Sequence, residues 1–198
     1  MQSCLGIYIE DNLIKYAKVQ KDRDNIKVEA FGTKFYENIQ QAIDQIVAET
    51  NSSKIPISIN LSEEYYDYFS YFALLNKNAL KKSIDIDFEM LCSEKGVNKD
   101  DMERKNIFAL DQDDAQKMKA INVSIEKNTL DSKKALFEKY NLATIEPLPI
   151  GIMNLIKLDN NSNELIVNME EKTTLTFCEN GQIDKIDEIE TSIMETIR

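Results

Sequence analysis

Two stretches of the sequence place carboxylates in the tight turn of an apolar hairpin, a kind of turn that often receives a phosphate group. The stretch GIYIEDNLIKYAKV, residues 6–19, has the pair Glu10-Asp11 at its turn. The stretch ELIVNMEEKTTLTFC, residues 164–178, has Glu170-Glu171 at the corresponding place. A phosphate turn needs glycine, because backbone amides must approach the phosphate closely. The two hairpins therefore either bind a nucleotide or carry ordinary solvated turn residues.

Other catalytic chemistry is limited by residue type. The chain contains no histidine, which excludes Ser-His-Asp and Cys-His catalysis within it and removes the commonest transition-metal ligand. Cys4, Cys92 and Cys178 lie far apart and outside any C-x-x-C pattern, so we expect buried thiols and neither a disulfide framework nor a zinc site. The acidic run DQDD at residues 111–114 favours a solvated turn over a metal site. We expect no catalytic residue and no bound metal.

Composition and charge indicate a globular, acidic protein. The 198 residues, 42% of them apolar, suffice for one sizeable domain or two small ones. Asp and Glu number 35 against 24 Lys and Arg, which gives a net charge of -11. This charge disfavours nucleic acid and anionic lipid as partners. The sequence shows neither a signal-peptide pattern nor an apolar run long enough to span a membrane, so we expect a cytoplasmic protein.

The first 61 residues have the patterns of three strands, a helix and a fourth strand. Apolar periodicity predicts a helix over residues 37–49, and alternation predicts a strand over residues 55–61 that could lie parallel to the first. The three opening strands form an antiparallel meander. Their predicted apolar positions are Leu5, Ile7 and Ile9, then Leu13, Ala17 and Val19, then Ile26, Val28 and Ala30.

The middle of the chain changes character and predicts a small inserted α+β module over residues 62–118. A helix containing Phe88 ends at Gly96, and strand-like runs follow at residues 107–110 and 120–125. A further helix is expected over residues 129–140. The module begins with an aromatic cluster made of Tyr65, Tyr66, Tyr68, Phe69, Tyr71 and Phe72.

The tail repeats the opening pattern of strand, acidic turn and strand. A second turn follows at residues 179–181. The residues Ile189, Ile193 and Ile197 then have helical spacing with no stop signal after them, and we expect the chain to be part of a longer protein.

Taken in order, these segments resemble the actin-like ATPase superfamily, and within it the PilM family of type IV pilus assembly proteins and its cell-division relative FtsA. LGIYIEDNLIKYAKV resembles the first phosphate loop of the family, L-G-[IL]-D-I-G-[ST]-x-x-[IV]-K, with Ile14 and Lys15 in register. ELIVNMEEKTTLTFCENGQI resembles the second loop, D-[IL]-G-x-x-x-T. The segment from Ala120 to Ile156 is similar to the family's strand, helix and strand between them, with Asn141-Leu142 in place of Gly-Leu.

The resemblance implies a fold class and a division of the chain. The expected fold is α/β (α+β): an actin-like, ribonuclease H-like subdomain with an inserted small α+β module and an incomplete second half. The first subdomain would comprise residues 1–61 and 119–160, and the module residues 62–118. Residues 161–198 would begin the second subdomain.

The phosphate loops depart from the family pattern at four positions. Tyr8 and Asn168 stand where the family has the metal-ordering Asp, and Glu10 and Glu170 stand where it has Gly. A carboxylate at about 4 Å from a phosphate, in partly screened surroundings, costs on the order of 4 kcal/mol. The expected protein is therefore a degenerate ATPase without nucleotide cofactor, that is, a pseudo-ATPase and no enzyme.

The resemblance further implies a scaffold of the type IV pilus assembly platform, held at the inner face of the membrane by its partners and not inserted in it. The expected partners are the cytoplasmic tail of a PilN-like membrane protein and other platform proteins, and the resemblance allows a homo-oligomer. The aromatic cluster would either line the groove for that tail or fill the core of the module. The alternatives are a nucleotide-binding actin-like ATPase and an FtsA-like division protein.

Overall fold

The structure, a computed structural model, describes residues 2–23, 25–110, 114, 116–156, 158–170 and 172–189, with residue 110 described by its backbone only. Eleven strands and four helices occur among these residues. Contacts divide the chain into two units, Met1–Ser62 with Asp131–Leu155, and Glu63–Leu130 with Ile156–Arg198. In chain order the elements are β1 (Gln2–Ile9), β2 (Leu13–Asp22), β3 (Asn25–Phe35), α1 (Ile39–Glu49), β4 (Ile57–Leu61), β5 (Tyr65–Phe72), α2 (Lys77–Lys95), β6 (Met102–Leu110), β7 (Lys117–Glu126), α3 (Lys127–Ala135), β8 (Leu142–Pro147), α4 (Leu148–Met153), β9 (Asn163–Met169), β10 (Thr173–Glu179) and β11 (Gln182–Ile189).

The first unit is built on a five-stranded sheet with the order β3-β2-β1-β4-β8. The meander β1-β2-β3 is antiparallel, whereas β4 lies parallel to β1 and β8 parallel to β4, as the sequence predicted for β4. The helix α1 packs on one face, where its apolar side chains fall at helical spacing. The core between this face and α1 consists of Leu5, Ile7, Ile14, Ala42, Ile43, Ile46, Val47, Ile57, Ile59 and Phe137.

The helix α1 is held at its start and in its middle. The side chain of Asn38 accepts a hydrogen bond from the Gln41 amide and caps the helix. Asp44 accepts hydrogen bonds from the Lys139 ammonium (2.6 Å) and the Tyr140 hydroxyl (2.7 Å). The hydrogen bond from Lys139 has the largest effect and that from Tyr140 the next, and they lower the pKa of Asp44 to about 2. Asp44 thereby ties α1 to the segment that precedes β8.

The ties of Asp44 predict an acid-dependent loss of stability. Because the folded-state pKa lies below the unfolded value, the contribution of Asp44 is complete above pH 4 and is lost as the pH falls towards 2. At pH 7 the Asp44→Asn variant should melt at a lower temperature than the wild type. This difference should vanish near pH 2. A constant difference across a thermal-melt series from pH 7 to pH 2 would contradict the assignment.

The third strand differs from its prediction in which residues it buries. Alternation predicts Ile26, Val28 and Ala30 on one face of β3, but Val28 and Ala30 point to opposite faces, and 66% of the Ile26 surface and 53% of the Val28 surface are exposed. The ladder between β2 and β3 shifts register between Lys18 and Val19. This bulge changes the face to which the first half of β3 points. Alternation alone does not reveal a bulge, which explains the error.

The second unit contains two three-stranded sheets. The first has the order β5-β7-β6, and both of its pairings are antiparallel. The helix α2 packs on this sheet through Ile84, Phe88 and Cys92 and ends at Gly96, whose φ of 69° is the left-handed conformation that favours glycine. The predicted end of α2 at Gly96 is therefore confirmed.

The second sheet of this unit has the order β11-β10-β9 and is antiparallel throughout. The predicted turn between β10 and β11 is present, with left-handed residues at Asn180 (φ 49°) and Gly181 (φ 77°). Ile189, which was expected to begin a helix, ends β11 instead. The other two residues of that predicted helix, and residues 111–113 of the acidic run, lie outside the described residues.

The domain borders from the sequence remain predictions, but two element bounds bear on them. The border at residue 118 falls inside β7, which pairs with β5 and β6 along its length. The helix expected over residues 129–140 is shorter, since α3 ends at Ala135 and a turn follows. Strand pairing between distant segments, which periodicity cannot report, decides the first of these bounds.

Candidate functional site

The turn of the first hairpin is closed by backbone contacts from both sides. The Glu10 amide donates to the Leu13 carbonyl (2.9 Å). Tyr36, which follows β3, donates its hydroxyl to the Glu10 carbonyl (2.5 Å) and its amide to the Asn12 carbonyl (3.1 Å). The Glu10 amide and carbonyl are thus both engaged within the unit.

The Glu10 carboxylate is paired with the lysine of the same hairpin. Lys15 Nζ lies 2.9 Å from Glu10 Oε1 and 5.3 Å from the centre of the Tyr8 ring. Tyr8 and Lys15 are opposite one another across β1 and β2, so their side chains share a face. The pair cancels the charge of Glu10, so the repulsion of a phosphate expected from the sequence is reduced. Position 10 still carries a side chain, whereas the family pattern has glycine there.

Asn60 extends the pairing of β1 with β4 towards the hairpin. The backbone register of these strands ends at Ile7 opposite Ile59. Beyond it, the Asn60 side chain accepts a hydrogen bond from the Ile9 amide (2.8 Å) and donates one to the Ile9 carbonyl (3.2 Å). Only 6% of the Asn60 surface is exposed. A single side chain thus satisfies both backbone groups of the last residue of β1.

The second hairpin has a looser turn and a row of polar side chains below it. The Glu170 amide donates to the Lys172 carbonyl at 3.3 Å. Asn168, Thr174 and Glu188 lie side by side across β9, β10 and β11. Within the described residues, Asn168 Nδ2 and Thr174 Oγ1 are buried and have no hydrogen-bond partner. Asn168 has a neutral amide here, whereas the family pattern has a carboxylate.

The four departures from the phosphate-loop pattern are therefore distributed over two units. Tyr8 and Glu10 belong to the first, and Asn168 and Glu170 to the second. Glu171, the second acidic residue of the later turn, lies outside the described residues. The expectation that these positions bind no nucleotide stays a prediction.

The aromatic cluster lies on β5 and divides between core and surface. Tyr71 is buried against Ile84 of α2 and donates its hydroxyl to Asp87 (2.7 Å), and Phe69 packs beside it. Tyr66 donates to the carboxylate of Glu64 (2.6 Å), whose pKa is raised by burial. The exposed members of the cluster are Tyr65 (46%), Tyr68 (40%) and Phe72 (66%).

The Tyr68 hydroxyl connects the two sheets of the second unit. It donates to the carbonyl of Ile186 (2.6 Å) and accepts from the amide of the same residue (2.8 Å). Burial raises the pKa of Tyr68 to about 12. Because β11 is an edge strand, these bonds satisfy both backbone groups of Ile186 on its open side.

An open groove of about 350 Å³ lies beside Tyr68, between β5 and β11. It contains the ion pair between Lys119 and Asp184, and Lys185, which pairs with Asp187. We call this the β5 groove. It is lined by Tyr68, Phe69, Ser70, Lys119, Ala120, Asp184 and Lys185.

A second cavity of about 280 Å³ lies under α2. Tyr65 stands at one side of it, with Lys95 Nζ 5.1 Å from the ring centre, and Lys95 also pairs with Asp67 (2.8 Å). Cys92 lines the cavity, and burial raises the pKa of its thiol. Burial also raises the pKa of Cys4 and Cys178. All three cysteines are free thiols.

Sequence reasoning missed the charged residues of the β5 groove. Lys119 lies just outside the strand predicted over residues 120–125, and neither Asp184 nor Lys185 belongs to a predicted site. The alternation of β7 could have placed Lys119 on one face, but no local pattern shows that β11 lies beside β5. Among the described residues there is no cluster of three or more Cys, Asp or Glu side chains that could hold a metal ion. None of the helices described is long and apolar enough to cross a membrane.

Comparison with known proteins identifies the fold through solved structures. No protein-family model and no curated protein matches the chain. A chain of the PilM-PilN type IV pilus biogenesis complex aligns with a TM-score of 0.74 and 9% identity, over 96% of this chain and 62% of that one. The cytoplasmic domain of EpsL, an inner-membrane component of the type II secretion system of Vibrio cholerae, aligns with a TM-score of 0.63 and 8% identity, over 95% of this chain and 71% of that one.

These likenesses show the fold. The chain has the mixed α/β architecture of the actin-like fold that its motifs predicted, and the predicted likeness to PilM is confirmed at the level of structure. The chain spans less than two thirds of the length of the aligned chain from the pilus complex.

Proposed function

We propose that this chain is a non-catalytic cytoplasmic scaffold of a pilus or secretion assembly platform, and that it binds the cytoplasmic tail of a PilN-like inner-membrane protein. The observation that carries the proposal is the alignment of 96% of the chain with a protein of the PilM-PilN complex. The likeness to EpsL, an inner-membrane component of a secretion system, supports the same class of role. The membrane association of this chain would then come through its partners.

The chemistry of the two hairpins supports the absence of catalysis. Phosphate binding of the actin-like type needs glycine at the turn and a carboxylate that orders the metal ion. Here Glu10 fills the first turn and is paired with Lys15 at 2.9 Å. Tyr8 and Asn168 offer no carboxylate. A magnesium nucleotide would have to displace an ion pair and would find no carboxylate at the metal-ordering position of either hairpin.

We expect the chain to show no binding of ATP or ADP with magnesium in isothermal titration calorimetry. The double variant Glu10→Gly with Glu170→Gly should not hydrolyse ATP either, because it still lacks the carboxylates that order the metal. A dissociation constant in the low micromolar range for the wild type, with competition by ADP, would contradict the proposal. The outcome of this titration decides between the scaffold and the actin-like ATPase.

The β5 groove is the site that best fits a peptide tail. It is open, and β5 is an edge strand of its sheet, to which an extended peptide can add as a further strand. Phe72 lies on the same face of β5 as Tyr68 and Ser70, because side chains alternate along a strand. The two lysines of the groove, Lys119 and Lys185, are paired with Asp184 and Asp187, so their charges are balanced locally. The net charge of the chain, -11, therefore decides the long-range attraction and favours a basic tail.

A further inference from the structure

The cavity under α2 is walled by apolar side chains, most of which are almost fully buried. Its volume is about 280 Å³, and its wall contains Phe88, Cys92 and Met102, which are 2%, 3% and 7% exposed. Leu91 and Val97 pack against these three residues and complete the apolar wall. We call this space the α2 cavity. Because such a wall offers few hydrogen-bond partners to water, the α2 cavity favours an apolar occupant over solvent.

The charge at the opening of the α2 cavity is balanced. Tyr65 and Lys95 are the exposed side chains of its lining. Lys95 Nζ lies 2.8 Å from Asp67 Oδ1 and 5.1 Å from the centre of the Tyr65 ring. Among the described residues that line the cavity, Lys95 alone is charged. An ionic ligand would therefore lose its hydration without gaining an unpaired counter-ion, so the α2 cavity selects a neutral ligand.

A polar row on the sheet separates the α2 cavity from the other apolar cluster under α2. Asp67, Asn122 and Asn106 lie side by side across β5, β7 and β6. Two residues away from Asn122 along β7, Ala120 belongs to that other cluster, which also contains Ile84. The side chains of that cluster therefore do not reach past Asn122 to fill the α2 cavity.

The aromatic rings and sulfur atoms of the wall indicate which apolar ligands fit. Phe88 and Tyr65 offer ring contacts, and Cys92 and Met102 supply sulfur. Both kinds of group favour an aromatic ligand. Ser124 adds a hydroxyl group that can accept a hydrogen bond. An apolar cavity of about 150 Å³ holds benzene, so the α2 cavity, at about 280 Å³, accommodates a two-ring system.

We propose that the α2 cavity binds a small neutral aromatic molecule of one or two fused rings. The α2 cavity shares no lining residue with the β5 groove. Tyr65 and Tyr68, which border the cavity and the groove respectively, point to opposite faces of β5 because side chains alternate along a strand. Binding of the aromatic molecule is therefore independent of the proposed tail peptide, and the two proposals can fail separately.

Titration with indole, a neutral two-ring molecule, tests the proposal. The chain contains no tryptophan, so indole fluorescence can be excited without a protein background. Emission should shift to the blue as the chain is added, with a dissociation constant below about 1 mM. Indole-3-acetate and tryptamine carry the same ring with a negative and a positive charge. Both should bind at least about tenfold more weakly than indole, because the cavity offers neither charge an unpaired partner.

Two variants that fill the α2 cavity place the ligand in it. Cys92→Leu adds bulk at a buried position of the wall and should lower indole affinity at least about tenfold. Val97→Phe fills the cavity from a less buried position and should have the same effect, so the test stays decisive if Cys92→Leu does not fold. The matched control is Met90→Phe, which adds bulk to a side chain of α2 that is 58% exposed and outside the cavity lining. This control should bind indole like the wild type, and circular dichroism verifies that each variant is folded.

Alkylation of the cysteines gives a second, independent location of the ring. Cys92 lines the α2 cavity, whereas Cys4 and Cys178 do not. Saturating indole should slow the reaction of Cys92 with iodoacetamide and leave the other two thiols unaffected, as measured by mass spectrometry of the digested protein. Equal slowing at all three thiols would overturn the assignment to the α2 cavity. So would unchanged indole fluorescence with the wild type up to about 1 mM, or folded filled variants that bind indole as tightly as the wild type.

Discussion

A peptide of about ten residues from the cytoplasmic tail of the proposed PilN-like partner should bind this chain in the micromolar range and lose affinity about tenfold in the variant Phe72→Ala. Exposed aromatic side chains are the groups that most often dominate a peptide interface. Phe72 is 66% exposed and lies on the face of β5 that carries Tyr68 and the β5 groove, so its removal should leave the fold intact. Fluorescence anisotropy with a labelled peptide measures the effect, and each tenfold loss corresponds to about 1.4 kcal/mol.

The control for this titration is Ile86→Ala, which removes a side chain of similar exposure, 59%, from α2. The variant Tyr68→Phe separates the ring of Tyr68 from its hydroxyl. Because that hydroxyl bonds to Ile186 and the ring lines the β5 groove, this variant should lower stability and leave peptide affinity nearly unchanged. Equal binding of the peptide by wild type and Phe72→Ala would show that the tail does not contact this exposed aromatic side chain. No binding by the wild type would count against the scaffold proposal itself.

Replacement of Asn60 should have the largest effect on stability. In Asn60→Leu, the amide and carbonyl of Ile9 lose both partners while the space is filled by an apolar side chain of similar size. We expect a loss of about 2–4 kcal/mol in the free energy of unfolding, because unpaired buried polar groups cost about 1–3 kcal/mol each. Urea unfolding followed by circular dichroism measures it.

The variant Asn60→Asp tests the direction of these hydrogen bonds. Its carboxylate would still accept from the Ile9 amide but would face the Ile9 carbonyl without a proton to donate. This variant should therefore be destabilised at pH 7 and should recover part of the loss when the carboxyl group is protonated near pH 4. The control is Asn141→Ala, an exposed side chain of the same unit, which should change stability by less than about 0.5 kcal/mol. Equal urea midpoints for Asn60→Leu and Asn141→Ala would refute the role of Asn60.

Local patterns were sufficient for most secondary structure. The alternation in β1 and β4 and the helical spacing of α2 follow from which face of each element is buried, and neighbouring residues reveal that face. In β2 the fully buried side chain is Ile14, on the face opposite the predicted positions Leu13, Ala17 and Val19. Gly96 marks the end of α2 because its left-handed φ of 69° is unfavourable for other residues. The order of the motifs also predicted the actin-like fold, which the alignments with the PilM-PilN complex and EpsL support.

Contacts between distant segments were decided only in three dimensions. Alternation put Val28 on one face with Ala30, but a bulge in the pairing of β2 with β3 places them on opposite faces. The sequence left open whether the aromatic cluster is core or surface. The structure divides it, because Tyr71 meets α2 whereas Phe72, its neighbour on the opposite face, is 66% exposed. The β5 groove, too, depends on β11 lying beside β5, more than a hundred residues away in the chain.

The sequence by itself determined the types of residue at each hairpin turn: Glu10 where a phosphate loop has glycine, and Asn168 where it has a carboxylate. It could not determine what those residues contact. Only the tertiary structure shows that the Glu10 backbone is held by Tyr36, which follows β3, and that Asn168 lies beside Thr174 of the next strand with its Nδ2 atom buried. The reason is physical: residue type is a local property of the chain, whereas burial and pairing depend on which distant segments fold against one another.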